Sequence, residues 1–296
     1  MQTLLALTII TTAATLFVSP SARAAEDDAA IEFKENQVYG TAGDEKLTLH
    51  LALPTAAEGP RPALVFIHGG GWRAGDKDVL KDAIKEAASR GYVAVSVGYR
   101  LVPKHRFPAP VHDVKCAVRW LRAHASELNV DPDRIGAIGF SAGAHLAMML
   151  GTVDTDDGLE GDEGWPEYSS KVQAVVSYFG PTNLLVELPV VSRPLVVAFL
   201  DGEVEERREA YVAASPITYV DAEDAPMLLL QGTKDPLVPY DQAFQMATAL
   251  TKAGVRGRVE LILGAGHGWA GDEHQRTVEL SYDFFEKWLK APDTSK

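Results

Sequence analysis

From residue 47 onward, short apolar runs alternate with longer amphipathic stretches, the pattern of a mostly parallel sheet whose strands are joined through helices. Leu47, Leu49, Leu51 and Leu53 alternate with Thr48, His50 and Ala52, which predicts a strand with one buried face. Ala63 to Ile67, Val93 to Val97 and Met227 to Leu230 lack that alternation, as central parallel strands covered on both faces do. Strands are expected near residues 33–39, 46–53, 63–68, 92–98, 134–139, 172–179, 226–231 and 257–263, an eight-stranded sheet. Helical spacing marks 78–90, 111–127, 141–151, 240–253 and 271–290; in the last, Val278, Tyr282, Phe285 and Leu289 share one face. Residues 154–167 stand apart as an acidic, Gly-rich insertion that reads as a solvated loop.

Ahead of this pattern, Leu4 to Val18 form an unbroken run of 15 residues without charge, followed by Ser19-Pro20-Ser21 and Ala22-Arg23-Ala24. A membrane span needs about 20 apolar residues, so the run reads as a signal peptide of residues 1–24 cut after Ala24, leaving no stable membrane anchor. A secreted or periplasmic protein is expected. No repeat, low-complexity segment or Pro-, Gly- or Ser-rich linker divides the remainder, so residues 25–296 are expected to form a single domain.

Composition removes several function classes. The 296 residues carry a formal charge of −13, with 28 basic and 41 acidic side chains, so the basic footprint of a nucleic-acid partner is missing. Cys116 is the sole cysteine, which excludes an intramolecular disulfide, a multi-cysteine zinc site and an iron–sulfur cluster. Stability must come from packing.

Candidate chemistry concentrates in a few short motifs. Gly139-Phe140-Ser141-Ala142-Gly143 lies directly after the expected strand at 134–139 and directly before a helix. That context exposes a serine hydroxyl on a sharp strand-to-helix turn, beside the positive end of a helix. His68-Gly69-Gly70-Gly71-Trp72 follows another buried strand, and its consecutive glycines allow backbone N–H groups to converge on one oxyanion. Gly70, Gly71 and Ala142 are the expected donors, with His68 ordering the loop.

Among eight histidines, His267 in Gly264-Ala-Gly-His267-Gly-Trp269 sits on the loop after the last strand, whereas His112 and His124 fall within a helix. His145, four residues past Ser141, belongs one turn down the helix as a buried histidine. The acid of a Ser, Asp, His chain order is expected after a strand and before His267, which selects Asp235 in Asp235-Pro-Leu-Val-Pro239. Asp241 opens a helix, where the dipole alone explains it, and Asp221, Glu223 and Asp224 precede their strand.

These motifs resemble the α/β-hydrolase esterases of the hormone-sensitive-lipase-like branch. Tyr99-Arg100-Leu101, Phe107-Pro108-Ala109 and Asp131-Pro132-Asp133-Arg134-Ile135 narrow the resemblance to the acetylxylan and feruloyl esterase-like subgroup, over roughly residues 45–290. Ala144 stands where many relatives carry a second glycine. The resemblance implies an α/β-hydrolase fold and acyl transfer by Ser141, His267 and Asp235, with no metal or organic cofactor. An amidase, formamidase or peptidase on the same triad, and a non-catalytic module on the same scaffold, are the alternative readings. The first expected strand begins about eight residues after Ala24, and the 46 residues from Gly180 to Ala225 must also supply a core helix, so a modest flap at most is expected in place of a lid. An open cleft suits short acyl esters of a small or carbohydrate alcohol, with Trp72 and Trp269 as candidates to stack on a sugar ring. Nothing in the sequence speaks to oligomeric state.

Overall fold

A computed structural model describes residues 31–55 and 59–290; the expected signal peptide lies outside them. All eight strands foreseen from the hydrophobic pattern occur in one sheet: β1 (Ile31–Ala42), β2 (Glu45–Pro54), β3 (Arg61–Ile67), β4 (Val93–Val97), β5 (Val130–Phe140), β6 (Ala174–Tyr178), β7 (Met227–Gly232) and β8 (Gly257–Ile262). Their spatial order is β1-β2-β4-β3-β5-β6-β7-β8. β2 pairs antiparallel with β1 and β4, and every other pairing is parallel. This is the α/β-hydrolase fold, without a large lid insertion.

The helices are α1 (Lys81–Ser89), α2 (Ala109–Ala123), α3 (Ala125–Leu128), α4 (Ala142–Thr152), α5 (Arg193–Leu200), α6 (Val204–Ala213), α7 (Asp241–Lys252) and α8 (Asp272–Leu289). His112 lies in α2, while His124 joins α2 to α3. Because successive strand side chains point to opposite faces, the sheet feeds two cores. Val65, Val93, Val95 and Val97 pack with residues of α2, α4 and α7, whereas Leu64, Phe66 and Ala94 pack with residues of α1 and α8.

The parallel register aligns the chemistry-bearing loops. Ile67 of β3 pairs with Gly139 of β5, Phe140 with Tyr178 of β6, and Gly232 of β7 with Ile262 of β8. The segments carrying Gly70, Ser141, Asp235 and His267 therefore leave the same carboxyl edge of the sheet, where open α/β sheets bind ligands.

Two expectations change. The interval 180–225 holds two short helices, α5 and α6, followed by a 3₁₀ turn at Pro216–Tyr219, instead of one core helix. Only Tyr211 is buried in α6, whereas α5 buries Val196, Phe199 and Leu200. The acidic insertion is solvated only in part: Asp156, Asp157 and Asp162 are exposed, but Glu160 and Glu163 turn inward. Glu160 meets Lys115 and Arg119, each at 2.7 Å, and Glu163 meets Arg100 and His112. The cause is the charge on α2, whose buried Lys115 and Arg119 require carboxylates and carbonyls in place of water. Burial alone would raise the Glu163 carboxyl, but hydrogen bonds from His112 and Arg100 hold it down at about 2.

Candidate active site

Ser141 sits between β5 and α4 with φ 54° and ψ −116°, a backbone that costs an L-residue energy. Its neighbours make the turn possible. A Cβ on Gly139 would run into the Gly143 carbonyl, and one on Gly143 into the Ile67 carbonyl. The Ser141 N–H donates to Tyr178 O at 2.9 Å and the His145 N–H to Ser141 O at 3.0 Å, so β6 and α4 hold the turn from both sides.

The three residues selected from sequence form one hydrogen-bonded chain. Ser141 Oγ lies 2.8 Å from His267 Nε2, and His267 Nδ1 lies 2.7 Å from Asp235 Oδ2. A carboxylate only accepts, so Nδ1–H donates to Asp235 and Nε2 is left to accept from the serine hydroxyl. Asp235 is itself fixed: its Oδ1 accepts from the Leu237 and Val238 N–H groups at 2.8 and 2.9 Å, and its Oδ2 accepts from Gln231 Nε2 at 2.9 Å. Phe179 packs on the imidazole with ring centroids 4.6 Å apart. Sequence reasoning missed Gln231 and Phe179; the only trace of Gln231 is a polar residue at the end of an otherwise apolar strand.

Gly71 and Ala142 border the cleft beside Ser141, with Gly70 one residue behind. Among the described residues, none of these three N–H groups has a protein acceptor. The loop carrying Gly70 closes on itself, since the Arg73 and Ala74 N–H groups both donate to Gly70 O, and the φ of 120° at Gly70 is one that side chains disfavour. His68 is buried, stacks on Tyr99 at 4.3 Å and has its Nδ1 2.8 Å from Gly69 O, while Tyr99 Oη–H donates to His68 O at 3.0 Å. Burial lowers its pKa to about 4, so it orders the loop as a neutral ring.

The cleft, about 440 Å³ counted with the solvent at its mouth, is lined by Trp72, Pro181, Leu188, Leu195, Leu237 and Pro239, together with Ser141 and Ala142. Leu195 of α5 packs against the glycine loop: a Cβ built on Gly71 would lie 3.0 Å from its Cδ1. Val190, on the loop before α5, is 89% exposed.

Neither tryptophan is placed as a sugar platform. Trp72 is 3% exposed and its ring stacks on Phe199 at 4.4 Å, so it serves as a wall of the cleft. Trp269 is 9% exposed, packs against Tyr178 and Phe179, and donates its N–H to Thr277 Oγ1 at 2.8 Å. A ring this large in a loop over an aromatic-lined sheet edge gains more from burial than from exposure. Asp241 opens α7 and is exposed, as its helix-dipole explanation requires. Among the described residues, no group of three or more His, Cys, Asp or Glu is placed to hold a metal ion, and no helix is long and apolar enough to cross a membrane.

Comparison with known proteins agrees with this architecture. Esterase LipQ of Mycobacterium tuberculosis is 33% identical over 223 residues, covering 73% of this chain and 52% of that protein. The chain spans about half the length of the curated relatives it matches. Thermogutta terrifontis esterase 2, in a structure phosphorylated by paraoxon, has a TM-score of 0.74 at 31% identity and covers 88% of this chain and 96% of that one. A bifunctional GH43-CE protein of Bacteroides eggerthii has a TM-score of 0.77 at 28% identity, covering 86% of this chain and 35% of that one. The BD-FAE family model matches residues 49–250, and the chain belongs to that family of α/β-hydrolase-fold proteins, related to the carbohydrate and feruloyl esterases.

Proposed function

We propose that this chain is a serine carboxylic-ester hydrolase of the hormone-sensitive-lipase-like branch, cleaving short acyl groups from an alcohol that is a carbohydrate such as xylan. The observation that carries the reading is the hydrogen-bonded chain Ser141, His267, Asp235 at 2.8 and 2.7 Å on a strained strand-to-helix turn. Ser141 Oγ attacks the ester carbonyl carbon while His267 Nε2 takes its proton, and Asp235 steadies the resulting imidazolium. The carbonyl oxygen gains its negative charge at the N–H groups of Gly70, Gly71 and Ala142. His267 then gives the proton to the departing alkoxide, leaving an acyl-serine, and by the same route deprotonates the water that releases the acid.

The cleft's position supports an arrangement of the two halves of the ester. The leaving alcohol must reach His267 to collect its proton, and the cleft touches Ser141, Ala142 and Gly71 but not His267. It is therefore the acyl side, short and apolar, closed by Leu188 and Leu195. The alcohol side is then the flank of Ser141 that faces His267 Nε2, 2.8 Å away, from which the leaving group collects its proton. Reaction of the Thermogutta esterase with paraoxon supports the same nucleophilic chemistry here, at 31% identity. Residues 1–24 act as a cleaved signal peptide in this reading, and the enzyme works in the periplasm or outside the cell.

The test is hydrolysis by the purified protein of p-nitrophenyl acetate, butyrate and dodecanoate, of acetylated xylan, and of matched anilides. Acetyl and butyryl esters and acetylated xylan should be cleaved. Faster cleavage of the anilides would assign an amidase, and preference for dodecanoate would refute the closed acyl side.

A further inference from the structure

His145 is completely buried, and the proposed reaction does not use it. It is tied to the nucleophile turn through its own N–H, which donates to Ser141 O at 3.0 Å. Its two ring nitrogens reach different parts of the chain. Trp72 Nε1 lies 3.3 Å from Nδ1, and Ala214 O lies 2.7 Å from Nε2. An indole N–H only donates and a carbonyl only accepts, so both contacts require one form: bare Nδ1 and protonated Nε2. Burial pushes the imidazole pKa down to about 4, which keeps that neutral form populated.

The partners surround the cleft. Trp72 directly follows Gly71, has the left-handed φ of 56°, and accepts from the Val102 N–H at 2.9 Å through its carbonyl. Its ring stacks on Phe199 of α5 at 4.4 Å and meets the His145 ring at 5.2 Å and 90°, and His145 itself lies 5.9 Å from Phe199. Ala214 is the residue that ends α6. One side chain thus joins the nucleophile helix, the glycine loop and the end of α6, the helix that follows α5, whose Leu195 and Val196 line the cleft.

We infer that His145 is a positioning residue for the oxyanion loop: through Trp72 it holds the Gly70 and Gly71 N–H groups in register with Ser141, and through Ala214 it anchors that arrangement to the end of α6. The inference rests on the ester-hydrolase reading above. Because oxyanion donors act on charge that exists only in the transition state, loosening them lowers kcat and leaves KM nearly unchanged. His145→Leu keeps similar bulk and removes both hydrogen bonds, whereas His145→Gln retains one donor and one acceptor. Trp72→Phe keeps a ring to stack on Phe199 and removes the indole N–H.

The experiment measures kcat and KM for p-nitrophenyl acetate per active site, counted by organophosphate titration so that misfolded protein does not enter. His145→Leu should lose about 10- to 100-fold in kcat with KM within threefold, the scale of a small misplacement of catalytic groups. His145→Gln should recover most of that loss, and Trp72→Phe, which reads the same bond if the leucine variant does not fold, should also fall in kcat. Wild-type kcat per titrated site in both His145→Leu and Trp72→Phe, or equal losses in His145→Leu and His145→Gln, would overturn the inference. Wild-type turnover in parallel reads the hydrolase assignment separately, and its absence would overturn that assignment and this one with it.

Discussion

Leu195→Ala should convert the closed acyl side into a longer one. Leu195 is half-buried and its Cδ1 reaches to 3.0 Å from where a Gly71 Cβ would stand, so its outer three carbons fill the space against the glycine loop. Removing them leaves room for about two further methylenes of substrate, each worth roughly 0.8 kcal/mol when buried. The gain of about 1.6 kcal/mol is roughly 15-fold in kcat/KM for a hexanoyl ester relative to an acetyl ester. Acetyl turnover itself should change little, because an acetyl methyl sits at the carbonyl and does not extend to Leu195. Stability should fall by only about 1 kcal/mol, since the side chain is not fully buried and its surroundings have room to relax. The assay is kcat/KM across acetyl, butyryl, hexanoyl and octanoyl p-nitrophenyl esters for wild type and variant, with thermal melting as the control for folding. An unchanged hexanoyl-to-acetyl ratio in a folded variant would show that Leu195 does not close the acyl side.

Other substitutions test separate parts of the site. Asp235→Asn should lower kcat by about four orders of magnitude, because an amide no longer imposes the tautomer His267 needs, whereas Asp241→Asn should leave steady-state rates within twofold. Gln231→Leu removes one hydrogen bond to Asp235 Oδ2 and one to Val238 O; kcat should fall about 10- to 150-fold, in line with about 1.5–3 kcal/mol for a hydrogen bond to a charged group, with KM little changed. Glu163→Gln should destabilise the fold above pH 4.5 and flatten its acid dependence. The folded carboxyl lies at about 2, below its ordinary 4.5, so its contribution is full above 4.5 and is lost as pH falls toward 2. Urea melts of wild type and variant at pH 7 and pH 3 check this, with the difference shrinking at pH 3.

The eight strands and the triad were legible because their signals are local. A buried parallel strand is an apolar run, and a nucleophile turn is a glycine-flanked serine between strand and helix. The parallel register then brings Asp235 and His267 to Ser141 although they lie far apart in the chain. The parts that escaped depend on tertiary contact. Arg193–Leu200 is nearly continuous in apolar residues, so its helix cannot be told from a strand by periodicity, and Val204–Ala213 is half charged, with most of its apolar residues bunched at the end and not spaced along one face. Glu160 and Glu163 look like members of a solvated acidic run; their inward turn follows from Arg100, Lys115 and Arg119, some 40 to 60 positions earlier. Trp72 and Trp269 carry no sequence mark distinguishing a packed ring from a stacking platform, and only the rings of Phe199, Tyr178 and Phe179 decide it.

The central claim is that Ser141 is the nucleophile of an ester hydrolase, and covalent labelling tests it most directly. The purified protein, treated with paraoxon and digested for peptide mass spectrometry, should carry one diethylphosphoryl group, on Ser141, and lose ester hydrolysis in step with labelling. Ser141→Ala should fold, take no label and lose about four to six orders of magnitude in rate. A label on another residue, or ester hydrolysis that survives in the fully labelled protein or in Ser141→Ala, would contradict the account.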